Sequence, residues 1–188
     1  MKAIETIHFS GQWTASYSVA MIASSVAIDV LSSAEWPRVC AIYLEGILSG
    51  NSTFETEPPT WDQWDRNHLP FGRLVARADE GVIGWAALSP VSARQCYAGV
   101  AEVSVYVAAA ARHQGIGRTL LREVIAASEA NGIWMLQGSA FPENVASLRM
   151  CTMNGFRQVG RRKHIAKLDG VWRDTVLLER RSQRVGIG

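Results

Sequence analysis

Apolar and polar residues change their spacing several times along this chain, and the changes mark out its elements. Residues 26–31 form a short apolar run that reads as a first strand. Ser32 stands three residues before Glu35, the spacing of a capping box, and Pro37 is compatible with a first helical turn. Val39, Ile42, Tyr43, Ile47 and Leu48 then recur at helical spacing up to Gly50. Pro58-Pro59 interrupts the chain, and Thr60 is placed to cap a short helix through Trp61 and Trp64. Segments 73–78 and 82–88 flank Asp79-Glu80-Gly81 as a hairpin, and a loop follows over 89–99. Residues 101–108 contain Val103-Ser-Val-Tyr-Val107, a strong strand signal. Helical spacing returns over 115–130, with Ile116, Leu120, Leu121, Val124 and Ile125 on one face. A strand over 133–137 and a helix over 144–153, stopped by Gly155, come next. Segments 156–163 and 172–179 close the chain as a hairpin around Leu168-Asp169-Gly170. The order β-α-α-β-β-β-α-β-α-β-β predicts an α/β (α+β) fold with a central mixed, mostly antiparallel sheet flanked by helices.

Residues 1–25 lack this periodicity and are almost uncharged. They read as a disordered arm, an added strand, or sequence upstream of a start at Met21. The predicted division is an extension over 1–25, one domain over 26–181 and a tail over 182–188. A length of 188 residues suits one domain with a sizeable core, and 48% hydrophobic against 19% charged residues is a globular composition.

A net charge of +2 lacks the concentrated basic field that gives nucleic-acid binding its affinity, so no nucleic-acid partner is expected. The basic residues are nevertheless uneven: positions 157–184 hold nine Lys or Arg against three acids. That end reads either as a site for an anionic ligand or as a solvated strand face. Cys40, Cys96 and Cys151 are odd in number and widely spaced, and they form no ligand cluster with His8, His68, His113 and His164. Neither a disulfide framework nor a metal site is expected, and a cytoplasmic location fits best. The chain has no apolar run of about 18 residues, so no membrane partner is expected. Seven tryptophans are many for this length and read as core, pocket or interface residues.

The most informative segment joins the Val105-Tyr106-Val107 strand to the helix beginning near Gly115, through Arg112-His113-Gln114-Gly115-Ile116-Gly117-Arg118. Glycines at 115 and 117 let a ligand approach the backbone closely. Successive amides at the helix start then make a concave anion site that suits a pyrophosphate, with Arg112 and Arg118 adding charge. The phosphate-loop run Gly-x-x-x-x-Gly-Lys-Ser/Thr does not occur, and the dinucleotide fingerprint fails at Leu120.

This Arg-x-x-Gly-x-Gly loop after Val-Tyr-Val resembles the acetyl-CoA site of the GCN5-related N-acetyltransferases, whose element order is the one predicted above. Within that superfamily, residues 53–59, 84–90, 102–107 and 170–180 resemble phosphinothricin and arsinothricin N-acetyltransferases. The resemblance spans about 26–181. It implies an enzyme that uses acetyl-CoA to N-acetylate a small anionic amino-acid analogue, conferring resistance, and a homodimer to which the Phe54 loop and the C-terminal hairpin contribute. Methionine sulfoximine or an ordinary amino acid is the nearest alternative acceptor, and a non-catalytic CoA-binding module is the alternative of a different class.

Acetyl transfer to an amine requires removal of an ammonium proton and benefits from a proton donor to the departing thiolate. The resemblance puts the branch's proposed catalytic glutamate at Glu102. Cys151 stands where relatives often carry histidine; its thiol is a candidate acid, or a small buried side chain. Asn144 matches an asparagine that contacts the pantetheine arm and also suits a helix N-cap. Val105 and Val107 are expected to offer backbone groups to the pantetheine amides. Arg94 and Tyr97 match the pair that holds the acidic acceptor, although Ser92 replaces a second basic residue. Phe54 is expected to form an apolar wall, and Arg173 to help anchor an anion or meet solvent.

Overall fold

The computed structural model describes residues 26–187, so the extension over 1–25 lies outside the described residues. Strand β1 (Ala27–Val30) leads through a 3-10 turn at Ser33–Glu35 into α1 (Trp36–Leu48). Ser32 and Glu35 form the expected capping box, with the Ser32 amide donating to Glu35 Oε2 at 2.6 Å. Helix α2 (Trp61–Asn67) has its own box: the Gln63 amide donates to Thr60 Oγ1, and the Thr60 amide to Gln63 Oε1. The remaining elements are β2 (Leu74–Ala78), β3 (Gly81–Pro90), β4 (Val100–Val107), α3 (Ile116–Ala130), β5 (Met135–Ala140), α4 (Val145–Met153), β6 (Arg157–Leu168) and β7 (Val171–Arg181). This is the element order predicted from the sequence.

The seven strands form one sheet in the order β1-β2-β3-β4-β5-β7-β6, antiparallel except between β4 and β5. Helix α1 covers one face, where Tyr43 packs edge-on against Trp85 and Tyr106 at ring distances of 5.6 and 4.8 Å. Helix α3 covers the other, burying Leu120, Leu121 and Val124. The tryptophans on α1, α2 and β3 pack together, and Trp64 and Trp85 are each only 1% exposed. They are core, and tryptophan lines neither of the two cavities described below.

The strands of the C-terminal hairpin run longer than expected, β6 reaching Leu168 rather than residue 163, and both ends of β5 differ from expectation because neighbours set them. β5 begins at Met135 rather than residue 133, because the Trp134 and Met135 amides both donate to the Gly99 carbonyl. Trp134 lies against Gly99 so closely that a Cβ at Gly99 would stand 2.0 Å from the ring. β5 also continues through Gly138-Ser139-Ala140, weak strand formers that β7 recruits by pairing up to Ala140 opposite Val176. The tail folds back on the domain: Ser182 is buried, its amide donates to the Trp134 carbonyl, and its hydroxyl donates to Glu129.

Candidate active site

The parallel pair β4–β5 is the weak seam of the sheet. It pairs only Val100–Glu102 with Met135–Gln137, whereas β3 stays paired to β4 through Val107. Beyond Glu102 the edge of β4 therefore opens. The Ala108 amide donates to Ile83 on the β3 side, so by strand alternation the backbone groups of Val103, Val105 and Val107 face the opening. The side chains of Val105 and Val107 turn to the α3 face, while Glu102, Ser104 and Tyr106 turn to the α1 face.

A cleft of about 840 Å³ runs along this opening between β4 and the N-terminal ends of α3 and α4. Val105, Tyr106, Val107, Arg112, His113, Gly115, Ile116, Gly117, Arg118 and Asn144 all line it. Gln114 does not; its side-chain amide donates back to the Ala110 carbonyl. Left-handed φ angles at His113 (63°) and Gly115 (84°) curl the loop into the helix. The first α3 amide served by an intrahelical carbonyl is that of Thr119, donating to Gly115 at 3.0 Å. The amides of Ile116, Gly117 and Arg118 are thus left for an external acceptor. A Cβ at Gly117 would meet Met150 Sδ at 3.0 Å and Val107 Cγ2 at 3.5 Å, so the glycine keeps this cradle open. Arg149 joins Arg112 and Arg118 around the cleft; it comes from α4, and no local sequence signal pointed to it. Orphan amides, three arginines and an unfilled cradle fit a pyrophosphate, and the exposed edge of β4 fits an amide-bearing arm.

A second cavity of about 310 Å³ continues from the first, sharing Ser52, Val105, Tyr106, Asn144, Ser147 and Met150 as lining. This volume is at the small end of the roughly 300–1,000 Å³ usual for small-ligand sites. Glu102, Phe54 and Cys151 line it together. Glu102 is half-buried, with Gln137 Nε2 at 3.4 Å from its Oε2. Phe54 packs edge-on to the buried Phe141 at 4.9 Å and forms the expected apolar wall. Asn144 does cap α4, accepting from the Ser147 amide at 3.1 Å, and it also donates to the Asn51 carbonyl at 2.8 Å. Cys151 is buried, and loss of solvation pushes its thiol up to about 11. Tyr43 and Tyr106 also border the cavity, and burial raises both phenols above their ordinary range, so they remain protonated donors near Thr53.

The remaining predicted residues are elsewhere. Arg94 and Tyr97 are exposed on the loop between β3 and β4, with the guanidinium 5.7 Å from the ring, and they do not line the cavity. Ser89 lies opposite Glu102, so their loop leaves the sheet at the glutamate's end of β4. Arg173 is a strap: it donates to the Gly50 carbonyl at 3.1 Å and to Glu143 at 3.2 Å, and it covers the Phe141 ring. It fastens the loop after α1 and does not line the cavity. Ser52, Thr53, Ser139 and Thr175 do line it, and sequence reading singled out none of them. They are scattered hydroxyls that only the folded sheet brings together.

The sequence profile of the acetyltransferase (GNAT) family matches residues 36–156. The phosphinothricin N-acetyltransferase of Alcaligenes faecalis is 33% identical over 162 residues, covering 81% of each chain. An L-methionine sulfoximine/L-methionine sulfone acetyltransferase of Pseudomonas paraeruginosa is 27% identical, covering 82% of this chain and 94% of its own. Among solved structures, a GNAT superfamily phosphinothricin acetyltransferase from Sinorhizobium meliloti in complex with acetyl-CoA superposes with a TM-score of 0.78. It is 26% identical, and the match covers 87% of this chain and 91% of that one. Among the described residues no helix is long and apolar enough to cross a membrane, and no cluster of potential metal ligands occurs. With the matched profile spanning the split between β4 and β5, the anion cradle and most of the lining of the carboxylate-bearing cavity, this chain belongs to the acetyltransferase (GNAT) family.

Proposed function

We propose that this protein transfers the acetyl group of acetyl-CoA to the amine of a small acidic amino acid, with phosphinothricin or arsinothricin as the favoured acceptors, and so confers resistance to them. The observation that carries this reading is Glu102, a carboxylate lining a small cavity at the point where β4 and β5 part. The relatives named for phosphinothricin support the acceptor class.

Acetyl-CoA, when bound, supplies an electrophilic thioester carbonyl. The orphan amides of α3, with Arg112, Arg118 and Arg149, would hold its pyrophosphate, and the backbone of Val105 and Val107 its pantetheine arm. On the acceptor side, Glu102 takes the ammonium proton directly or through a water, which frees the nitrogen lone pair for attack. Phe54 and Phe141 exclude water from one wall. Cys151 is a neutral thiol at physiological pH and is therefore a poor nucleophile, which favours direct attack over an acetyl-cysteine. Its proton is also held too tightly to pass readily to an alkyl thiolate of ordinary pKa, about 8.5. We assign it to the cavity wall.

A second reading, methionine sulfoximine as acceptor, is favoured by one observation: Arg94 stands outside the cavity, with Ser92 beside it in place of a second cation. The deciding assay follows CoA release with arsinothricin, phosphinothricin, methionine sulfoximine, glutamate and a polyamine. Turnover of an oxyanion acceptor is expected. Turnover of the polyamine alone overturns the reading, and acetyl-CoA binding without turnover of any amine leaves a CoA-binding module. A cytoplasmic homodimer belongs to the same proposal; a monomer by sedimentation at micromolar concentration removes the dimer.

A further inference from the structure

We infer that Arg162, acting with the hydroxyls of Ser139 and Thr175, forms the subsite for the acceptor's α-carboxylate. This rests on the acidic amino-acid reading of the same site. Arg162 lies on the edge strand β6 opposite Thr175 of β7. Its guanidinium crosses β7 on the cavity side, with Nε donating to Thr175 Oγ1 at 3.1 Å and Nη2 donating to Ser139 Oγ on β5. Both hydroxyls line the small cavity, Thr175 at 3% exposure and Ser139 exposed, whereas Arg162 is exposed and does not itself line it, so it reaches the cavity through these two side chains. Each oxygen already accepts from the guanidinium, so each hydroxyl proton is available to a ligand. A cation backed onto two O–H donors presents positive charge and two donated protons, a combination that suits an anion.

The charge of Arg162 is also uncompensated. Four of the five other arginines of the C-terminal hairpin are paired with carboxylates, Arg157 with Glu179, Arg161 with Asp174 at 2.7 Å, Arg173 with Glu143, and Arg180 with Glu129, while Arg181 donates to the carbonyls of Trp134 and Val185. Among the described residues no carboxylate oxygen lies within 4.0 Å of Arg162. The adjacent Asp174 is occupied by Arg161 and by the His164 amide. A register shift between Arg162 and Ala166, with His164 at φ 49°, bulges β6 just after the arginine. Bulges of this kind re-aim side chains at sheet edges.

The spacing suits an α-amino acid. Glu102 is paired with Gln137, and Ser139 follows two residues later on the same face of β5, about 7 Å along the strand. An amine hydrogen-bonded to Glu102 and a carboxylate hydrogen-bonded to Ser139 each take up about 3 Å of that span. Because β4 and β5 also lie about 4.8 Å apart, Glu102 and Ser139 are separated by roughly 8.5 Å in all, so about 2.5 Å remains, the distance between two groups on a single carbon. A tail anion, several bonds further away, is left for the open side near Arg94.

The test measures equilibrium binding of phosphinothricin and of its α-carboxamide to the CoA-saturated protein, by calorimetry, in wild type, Arg162→Gln and Arg162→Lys. Wild type is expected to prefer the carboxylate by about 10- to 100-fold, the scale of a charge-assisted hydrogen-bond pair. That preference should fall to near unity in Arg162→Gln and recover in part in Arg162→Lys. Undiminished preference in folded Arg162→Gln, or none in wild type, overturns the subsite. CoA release by wild type is read in parallel and separates the two ideas. Binding with the predicted preference but no release sinks the acetylation reading alone; release with an unchanged preference in Arg162→Gln sinks the subsite alone.

Discussion

Replacing Gly117 with tryptophan tests whether the start of α3 holds the cofactor's anion. Gly117 has helical backbone geometry, so a larger residue there does not strain φ, and leaving glycine raises helix propensity. The consequence is steric. The first added carbon already lies 3.0 Å from Met150 Sδ and 3.5 Å from Val107 Cγ2, and an indole beyond it must occupy the cleft. That displaces a ligand from the amides of Ile116, Gly117 and Arg118. Losing two hydrogen bonds to a charged group, at about 1.5–3 kcal/mol each, amounts to about 3–6 kcal/mol. Acetyl-CoA affinity should therefore fall by roughly 10²- to 10⁴-fold. Calorimetric titration with acetyl-CoA measures this, and circular dichroism melting confirms the fold. Gly117→Ala is the control: a flexible thioether can yield a few tenths of an ångström, so the loss should stay below about tenfold. A folded tryptophan variant that binds acetyl-CoA within threefold of wild type would refute the cradle.

Glu102→Gln should lower turnover by about 10²-fold or more with little change in acetyl-CoA affinity; CoA release across pH 6 to 9 checks it, and an unchanged rate throughout rejects the base. Cys151→Ser should leave most activity, because a thiol pushed up to about 11 stays neutral below that pH. For the same reason iodoacetamide at pH 8 should label the exposed Cys96 well before Cys151, and the reverse order by peptide mass mapping contradicts the assigned burial. His68 is stacked on Trp64 at 4.1 Å, and desolvation lowers its pKa below the usual 6.5. The unfolded chain then binds the proton more readily, so this contribution to stability is present above about pH 6.5 and lost as pH falls below it. Denaturant unfolding of His68→Gln should show a flatter acid limb; an identical limb assigns the acid sensitivity elsewhere.

Local signals in the sequence determined a great deal. The capping boxes at Ser32 and Thr60, the helical face of α3 and the two-residue Asp169-Gly170 turn, both residues at positive φ, each act through neighbours a few positions apart. So does the cofactor loop: one strand end, one left-handed glycine and one helix start generate the orphan amides without help from distant residues. That is why nearly all of the residues expected at the cofactor cleft line it; Glu102, expected from the family resemblance, lines the adjoining cavity.

Only the tertiary structure decided the small cavity around Glu102. Where β5 begins depends on Trp134 meeting Gly99, and where it ends depends on pairing with β7. The split beyond Glu102 exists because β5 turns from β4 toward β7, a matter of sheet order that no local period encodes. Arg173 carries the residue type for anion binding, yet contacts from Gly50 and Glu143 commit it to fastening a loop. Arg162 sits in the same basic run and looks no different in sequence. Its reach to Thr175 and Ser139 comes from cross-strand register and the bulge that follows it. A charged side chain's chemistry is written in its residue type, but its partner is set by which strands lie beside it, and that is fixed only when the sheet closes.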